Sequence, residues 1–133
     1  VFASSQESGE GDASHLTDGN PSSYWHTMYS VTVANYPHWV DFDCGGMKTI
    51  KGFTYLPRQD SNNGNIKKYS IQVSNDGKTW GKAVAEGEFE NNRKEKTILL
   101  TTPVKARFVR LTALSEQSGQ DFATGAEFKV LEK

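Results

Sequence analysis

From residue 51 to 80 the chain reads KGFTYLPRQDSNNGNIKKYSIQVSNDGKTW, and this stretch restricts the fold more than any other. Phe53, Tyr55, Tyr69, Ile71 and Val73 alternate with polar residues, the period of strands that bury one face. Between the two runs lies PRQDSNNGN, whose Pro57, Gly64 and clustered Asn and Asp break any continuous strand. Asn75-Asp76-Gly77 marks a tight turn, because Asp and Gly tolerate the positive φ such turns require. The strands are therefore a scaffold that displays Arg58, Asp60, Asn62 and Asn63 at one end, an arrangement suited to hydrogen bonding a small polar ligand.

The same alternation recurs along the chain, and no long segment carries a helical period. Strands are expected near 1–4, 38–43, 48–56, 66–74, 82–86, 96–101, 105–113 and 124–132, with at most a turn or two of helix around SHLTDG. This predicts a single all-β domain over residues 1–133, a sandwich of about eight antiparallel strands with long loops at one end. Only 35% of the residues are hydrophobic, so the 3 Trp, 7 Phe and 5 Tyr must supply much of the core. Trp25, Trp39 and Trp80 are assigned to that core from their strand-like contexts. Cys44, the only cysteine, reads as a buried structural thiol. The opening at Val1, inside strand-like VFASS, is expected of a domain excised from a longer protein.

Several function classes lose support here. With 15 basic and 16 acidic residues there is no basic stripe to attract nucleic acid. The longest apolar runs are too short to cross a membrane. Asp41 and Asp43 are a tempting acidic pair, but two apart on a strand they share a solvent-facing side. No nucleophile elbow, zinc motif or phosphate loop accompanies them.

Residues 5–37 form a long polar segment, and such a loop in a compact domain is normally functional or tied down. Asp18-Gly19-Asn20 is an oxygen-rich turn, followed by the hydroxyls of Ser22 and Ser23. Calcium takes six to eight oxygen ligands, and Glu127 could add a second carboxylate if the chain ends meet. Read on their own, these residues favour an Asx turn followed by a serine-capped turn. Recognition side chains are clearer: His26 directly after Trp25, Arg58 with its fork of donors, Asn63 as donor and acceptor, and Phe122 in a Gly- and Ser-rich loop.

The block 51–80, with Tyr69 and SNDGKTW, together with DGNPSSYW, resembles the coagulation factor V/VIII type C (discoidin) domain. It is most similar to the sugar-binding branch, carbohydrate-binding module family 32. The resemblance runs from ASSQ to AEFKV and implies a discoidin-like jelly roll. It implies a structural Ca²⁺ held by the side chains of Asp18, Ser23 and Glu127 and the main-chain oxygens of His15, Asn20, Ser23 and Ala126. It implies a site for terminal galactose or N-acetylgalactosamine at His26, Arg58, Asn63 and Phe122, with Tyr29 as a second aromatic wall. Glu7 falls where some members place an acid on the axial hydroxyl, with Glu10 and Asp12 as competitors. The implied protein is a non-catalytic module, extracellular, cell-surface or periplasmic, covalently linked to a glycoside hydrolase. The alternative is a lipid- or protein-binding discoidin domain using Met28, Tyr29, Val31 and Val33 as an apolar spike.

Overall fold

A computed structural model describes residues 1–133. Eight strands follow in chain order: β1 (Phe2–Ala3), β2 (Trp25–His26), β3 (His38–Leu56), β4 (Lys68–Ser74), β5 (Ala85–Glu88), β6 (Lys96–Ala113), β7 (Thr124–Gly125) and β8 (Glu127–Glu132). All strand pairings are antiparallel. The helical candidate is a 3-10 turn over Ala13–Thr17. No helix is long and apolar enough to cross a membrane.

The number of strands expected is met, but their division differs. The runs 38–43 and 48–56 are one strand, and so are 96–101 and 105–113. Polar Gly45-Gly46 and Thr101-Thr102 interrupt the alternation without ending the strands. Instead the ladder between β3 and β6 shifts register at Asp43/Lys48 and Ile50/Gly52. Such irregularities bend strands and let them pass between the layers of a sandwich. The first half of β3 pairs with β1 and the second half with β8, while the second half of β6 carries β4 and β5 outward. Conversely, 124–132 divides into β7 and β8, and β2 was not foreseen.

The two halves enclose the core. Phe42 from one stacks on Phe128 from the other at 4.7 Å between ring centroids, and Phe53 follows at 5.9 Å. Val40, Ile50, Ile71, Val109 and Leu111 fill the space between, with at most 1% of their surface exposed. Tyr55, Phe89 and Tyr69 form a second stack. Trp25 is buried as expected, but Trp39 and Trp80 are only partly covered and lie outside the core cluster. Trp39 follows His38 and precedes Val40, both buried, so strand parity turns it outward. Cys44 is half-buried, and that burial pushes its thiol pKa up.

Candidate functional site

One end of the sandwich is built around the two-stranded ribbon of β2 and β7, where His26 pairs with Thr124. The turn Glu7–Gly11 closes on the other side of β2: the Glu7 N–H donates to the His26 carbonyl at 2.8 Å and the His26 N–H to the Gly11 carbonyl at 3.1 Å. Gly11 is required there, because a Cβ would stand 2.5 Å from that of His26. Next to Thr124, on the side away from β2, lies the 61–65 loop. Thr124 donates its N–H to the Gly64 carbonyl and its hydroxyl to the Asn63 carbonyl, both at 2.8 Å. Gly64 has φ +78°, the left-handed region that glycine occupies without strain.

Four aromatic rings gather on this end. The His26 ring lies 4.7 Å from Tyr29, 5.3 Å from Phe122 and 6.4 Å from Tyr24. Tyr29 and Phe122 meet edge to face at 6.1 Å. His26 is thus not an open side chain at a loop mouth: only 4% of it is exposed. Its Nδ1 donates to the Thr27 carbonyl at 2.6 Å, so in the neutral ring Nε2 is the acceptor. The Arg58 guanidinium lies 3.8 Å above the Tyr24 ring and donates through Nε to Asp60 at 2.6 Å. The Asn63 side chain is exposed and makes no hydrogen bond within the chain. No cavity of the molecule is lined by these residues, so the face is shallow.

The three acidic candidates separate clearly. Glu7 accepts hydrogen bonds from the Ser30 hydroxyl and from the N–H groups of Tyr29 and Ser30. Those bonds, the hydroxyl first, hold its carboxyl down at about 2. Asp12 accepts the Gly9 N–H at 3.1 Å. Glu10 is the carboxylate among the rings: it accepts the Tyr29 hydroxyl at 2.5 Å and the Tyr24 hydroxyl at 3.0 Å. The Tyr29 bond lowers the Glu10 pKa and raises that of Tyr29 to about 12. After its hydrogen bonds, the nearby His26 and Arg58 also work to lower the Glu10 pKa.

A second cluster lies where the 3-10 turn meets β8. Asp18 accepts from the Ser23 hydroxyl at 2.5 Å and from the Asn20 N–H at 2.9 Å. Burial works to raise the Asp18 pKa, but these bonds outweigh it and leave it lowered. Glu127, on β8 and 6% exposed, faces Asp18. Burial, then the Asp18 carboxylate, push the Glu127 pKa up. Its Oε1 is buried without any hydrogen-bond partner. Two facing carboxylates with an orphaned oxygen are mutually unfavourable unless a cation or proton lies between them. No third His, Cys, Asp or Glu side chain joins them, so the other oxygens available to a cation there would be carbonyls and hydroxyls. The His15 ring is not one of them: its Nδ1 bonds the Tyr24 carbonyl at 2.9 Å.

With this geometry in view, the F5/8 type C domain model matches residues 1–128. The chain belongs to that family. The domain is 42% identical over 123 residues to a sialidase of Micromonospora viridifaciens, covering 91% of this chain but 19% of that enzyme. It therefore spans about a fifth of the length of that curated relative. CpGH89CBM32-5 of Clostridium perfringens, solved in complex with GalNAc-β-1,3-galactose, is similar at a TM-score of 0.89 and 36% identity, covering 98% of this chain and 92% of that one. The family 32 module of C. perfringens NanJ, solved with galactose, is similar at 0.86 and 34%, covering 96% and 89%.

The outer sheet face of this F5/8 type C domain holds the two remaining tryptophans. Arg110 lies between them, 4.3 Å from the Trp39 ring and 4.5 Å from Trp80, and grips Asp41 through two bonds of 2.7 and 2.9 Å. Asp43 is paired in the same way with Arg107, so neither aspartate is a free acid. The sequence names Glu10 only as a competitor for the acidic position and gives Tyr24 no role on the aromatic end. The one signal for Tyr24 was its two-residue offset from His26; for Glu10 it was competition with Glu7.

Proposed function

We propose that this chain is a non-catalytic carbohydrate-binding module that recognises a terminal galactose- or N-acetylgalactosamine-type sugar. The observation that carries this is the convergence, on one end of an F5/8 type C domain, of His26, Tyr29, Phe122, Arg58 and Asn63. The rings offer apolar surface to the C–H face of a pyranose, and the Arg58 fork, His26 Nε2 and the Asn63 amide offer donors and acceptors to adjacent hydroxyls. Glu10 is the carboxylate we assign to this set, with Glu7 holding the Tyr29–Ser30 loop behind it. The parent is proposed to be an extracellular or cell-surface carbohydrate-active enzyme, to which the module gives proximity to glycan. On so shallow a face, binding is expected in the millimolar to micromolar range, about −4 to −8 kcal/mol.

We also propose a structural Ca²⁺ at Asp18, Ser23 and Glu127, completed by the carbonyls of His15, Asn20, Ser23 and Ala126. The orphaned Glu127 oxygen supports this reading. When bound, the ion supplies charge neutralisation and ties the 5–37 segment to β8, like a clip that closes a long loop. Chelation with EDTA is expected to lower the unfolding midpoint by more than about 5 °C, restored by Ca²⁺ but not by Mg²⁺. An unchanged midpoint in a metal-free sample removes the ion from the proposal.

Isothermal calorimetry of the calcium-saturated domain with galactose tests the sugar reading. Saturable binding is expected, and its loss in Arg58→Ala with retained folding places it on this face. A folded, calcium-loaded domain that binds no sugar on a broad glycan array overturns it. The exposed Val31 and Val33 beside the face then make vesicle binding the reading to pursue.

A further inference from the structure

The sugar reading has no use for Glu116, yet this carboxylate is 3% exposed. Its backbone is held by an antiparallel bridge to Ile66, which turns the side chain between two loops. One oxygen, Oε2, accepts the Gly64 N–H at 3.0 Å. The other, Oε1, accepts the N–H groups of Ser118 at 2.6 Å and Gln120 at 3.0 Å. The Ser118 hydroxyl reaches both oxygens, at 2.8 and 3.0 Å. None of the three ion pairs of the molecule involves Glu116. The buried charge is therefore met entirely by N–H and O–H donors, the strong, directional kind of hydrogen bond.

Those donors belong to two segments that lead straight to the sugar face. Gly64 follows Asn63, and Ser118–Gln120 runs into Asp121 and Phe122. On the far side, the Asp121 and Phe122 carbonyls accept from His38 Nε2 and the Tyr36 hydroxyl, both at 2.6 Å. Only a carboxylate satisfies both segments at once, because both of its ends accept. A glutamine in its place turns one end into a donor facing an N–H, whichever way the amide lies. We propose that Glu116 is a positioning residue that, together with the Thr124 bonds to the Asn63 and Gly64 carbonyls, sets the separation of Asn63 from Phe122 across the binding face. This rests on the sugar reading given above.

The test is a double-mutant cycle measured by galactose calorimetry, with backbone amide exchange as a readout independent of sugar. Glu116→Gln is expected to weaken galactose about tenfold, as the Gly64 end of the tie fails. Asn63→Ala should weaken it by a similar factor, and the double variant should bind no more weakly than either single one. Glu116→Gln combined with Tyr29→Ala, whose loop is held by Glu7, should instead be additive. A merely structural role would weaken every combination alike, so full additivity with Asn63→Ala overturns the proposal. Ser118→Ala keeps the charge and removes one donor; a smaller loss, about threefold, is expected if Glu116→Gln folds poorly. Faster exchange at Gly64 in either variant supports the tie, and unchanged exchange overturns it. If wild type binds no sugar, the sugar reading fails by that result alone, while exchange at Gly64 still decides whether Glu116 joins the loops.

Discussion

Arg58 and Arg110 are made of the same parts and do different work. Each guanidinium lies on an aromatic ring and points its fork at an aspartate. Arg110 has both faces covered, by Trp39 and Trp80, and its two bonds to Asp41 are of nearly equal length. Arg58, whose side chain is 12% exposed against 23% for Arg110, lies on a single ring, that of Tyr24. Its second bond, to an Asp60 whose side chain is 60% exposed, stretches to 3.4 Å. The first arginine is clamped in a structural pair by its own chain. The second keeps donors that water, or a sugar hydroxyl, can take with little loss. Composition therefore does not mark a binding site; incomplete satisfaction of a well-held group does.

This contrast breaks most directly by removing each arginine. Arg58→Ala is expected to lower galactose affinity about a hundredfold, the scale for losing a charged donor pair in a recognition site. Its stability should fall by about 1 kcal/mol, since a side chain that is 12% exposed leaves the Tyr24 ring and an Asp60 that water can solvate. Arg110→Ala should show the reverse. It leaves Asp41 partly buried and unpaired and two indole faces bare, a loss of about 2 kcal/mol in chemical denaturation with sugar affinity unchanged. If Arg110→Ala weakens sugar binding, or Arg58→Ala unfolds the domain, the division of roles is wrong.

The sequence made one side of this contrast legible and hid the other. Arg58 stands in a loop whose Pro, Gly and Asn residues announce it, so its display could be read locally. Arg110 lies inside a strand, and its partners Trp39, Asp41 and Trp80 are distant along the chain. Alternation gives the parity of Trp39 but not which face is covered, and a strand-like context alone places the tryptophan in the core. The same limit explains the merged strands: Gly45-Gly46 and Thr101-Thr102 look like breaks, yet a register shift absorbs them. Residues whose role is to hold a loop, such as Glu7 and Glu116, carry no local pattern, because most of their partners are backbone N–H groups that any sequence supplies, each joined by one serine hydroxyl.

A smaller effect sharpens the picture of the binding end. Phe122 is half-buried, with its ring against His26 and Tyr29. Phe122→Ala should cost galactose binding about 1 kcal/mol, since one wall of several is removed. A loss as large as that of Arg58→Ala would mean that stacking, not the charged fork, dominates recognition.

The smallest effect concerns how the binding end is held before any ligand arrives. Glu7 ionises at about 2 instead of the ordinary 4.5, because the Ser30 hydroxyl and then two loop N–H groups bond its charged form. A carboxyl whose pKa is depressed by folding contributes stability above its unfolded pKa and loses it as pH falls through the folded value. The Glu7 contribution is thus complete above about pH 5 and disappears between 4.5 and about 2. Asp43, held by Arg107 on the outer face, also ionises at about 2 and titrates in the same window, so wild-type stability alone cannot separate them. The difference between wild type and Glu7→Gln can, because Asp43 is common to both. That difference in unfolding midpoint should be constant from pH 8 down to about 5, then shrink toward zero as protonated Glu7 comes to resemble glutamine. A difference that stays constant from pH 8 down to about 2 would show Glu7 titrating like a free side chain. The Tyr29–Ser30 loop would then not be held by charge, and the preorganisation that sets the binding end apart from the outer face would need another source.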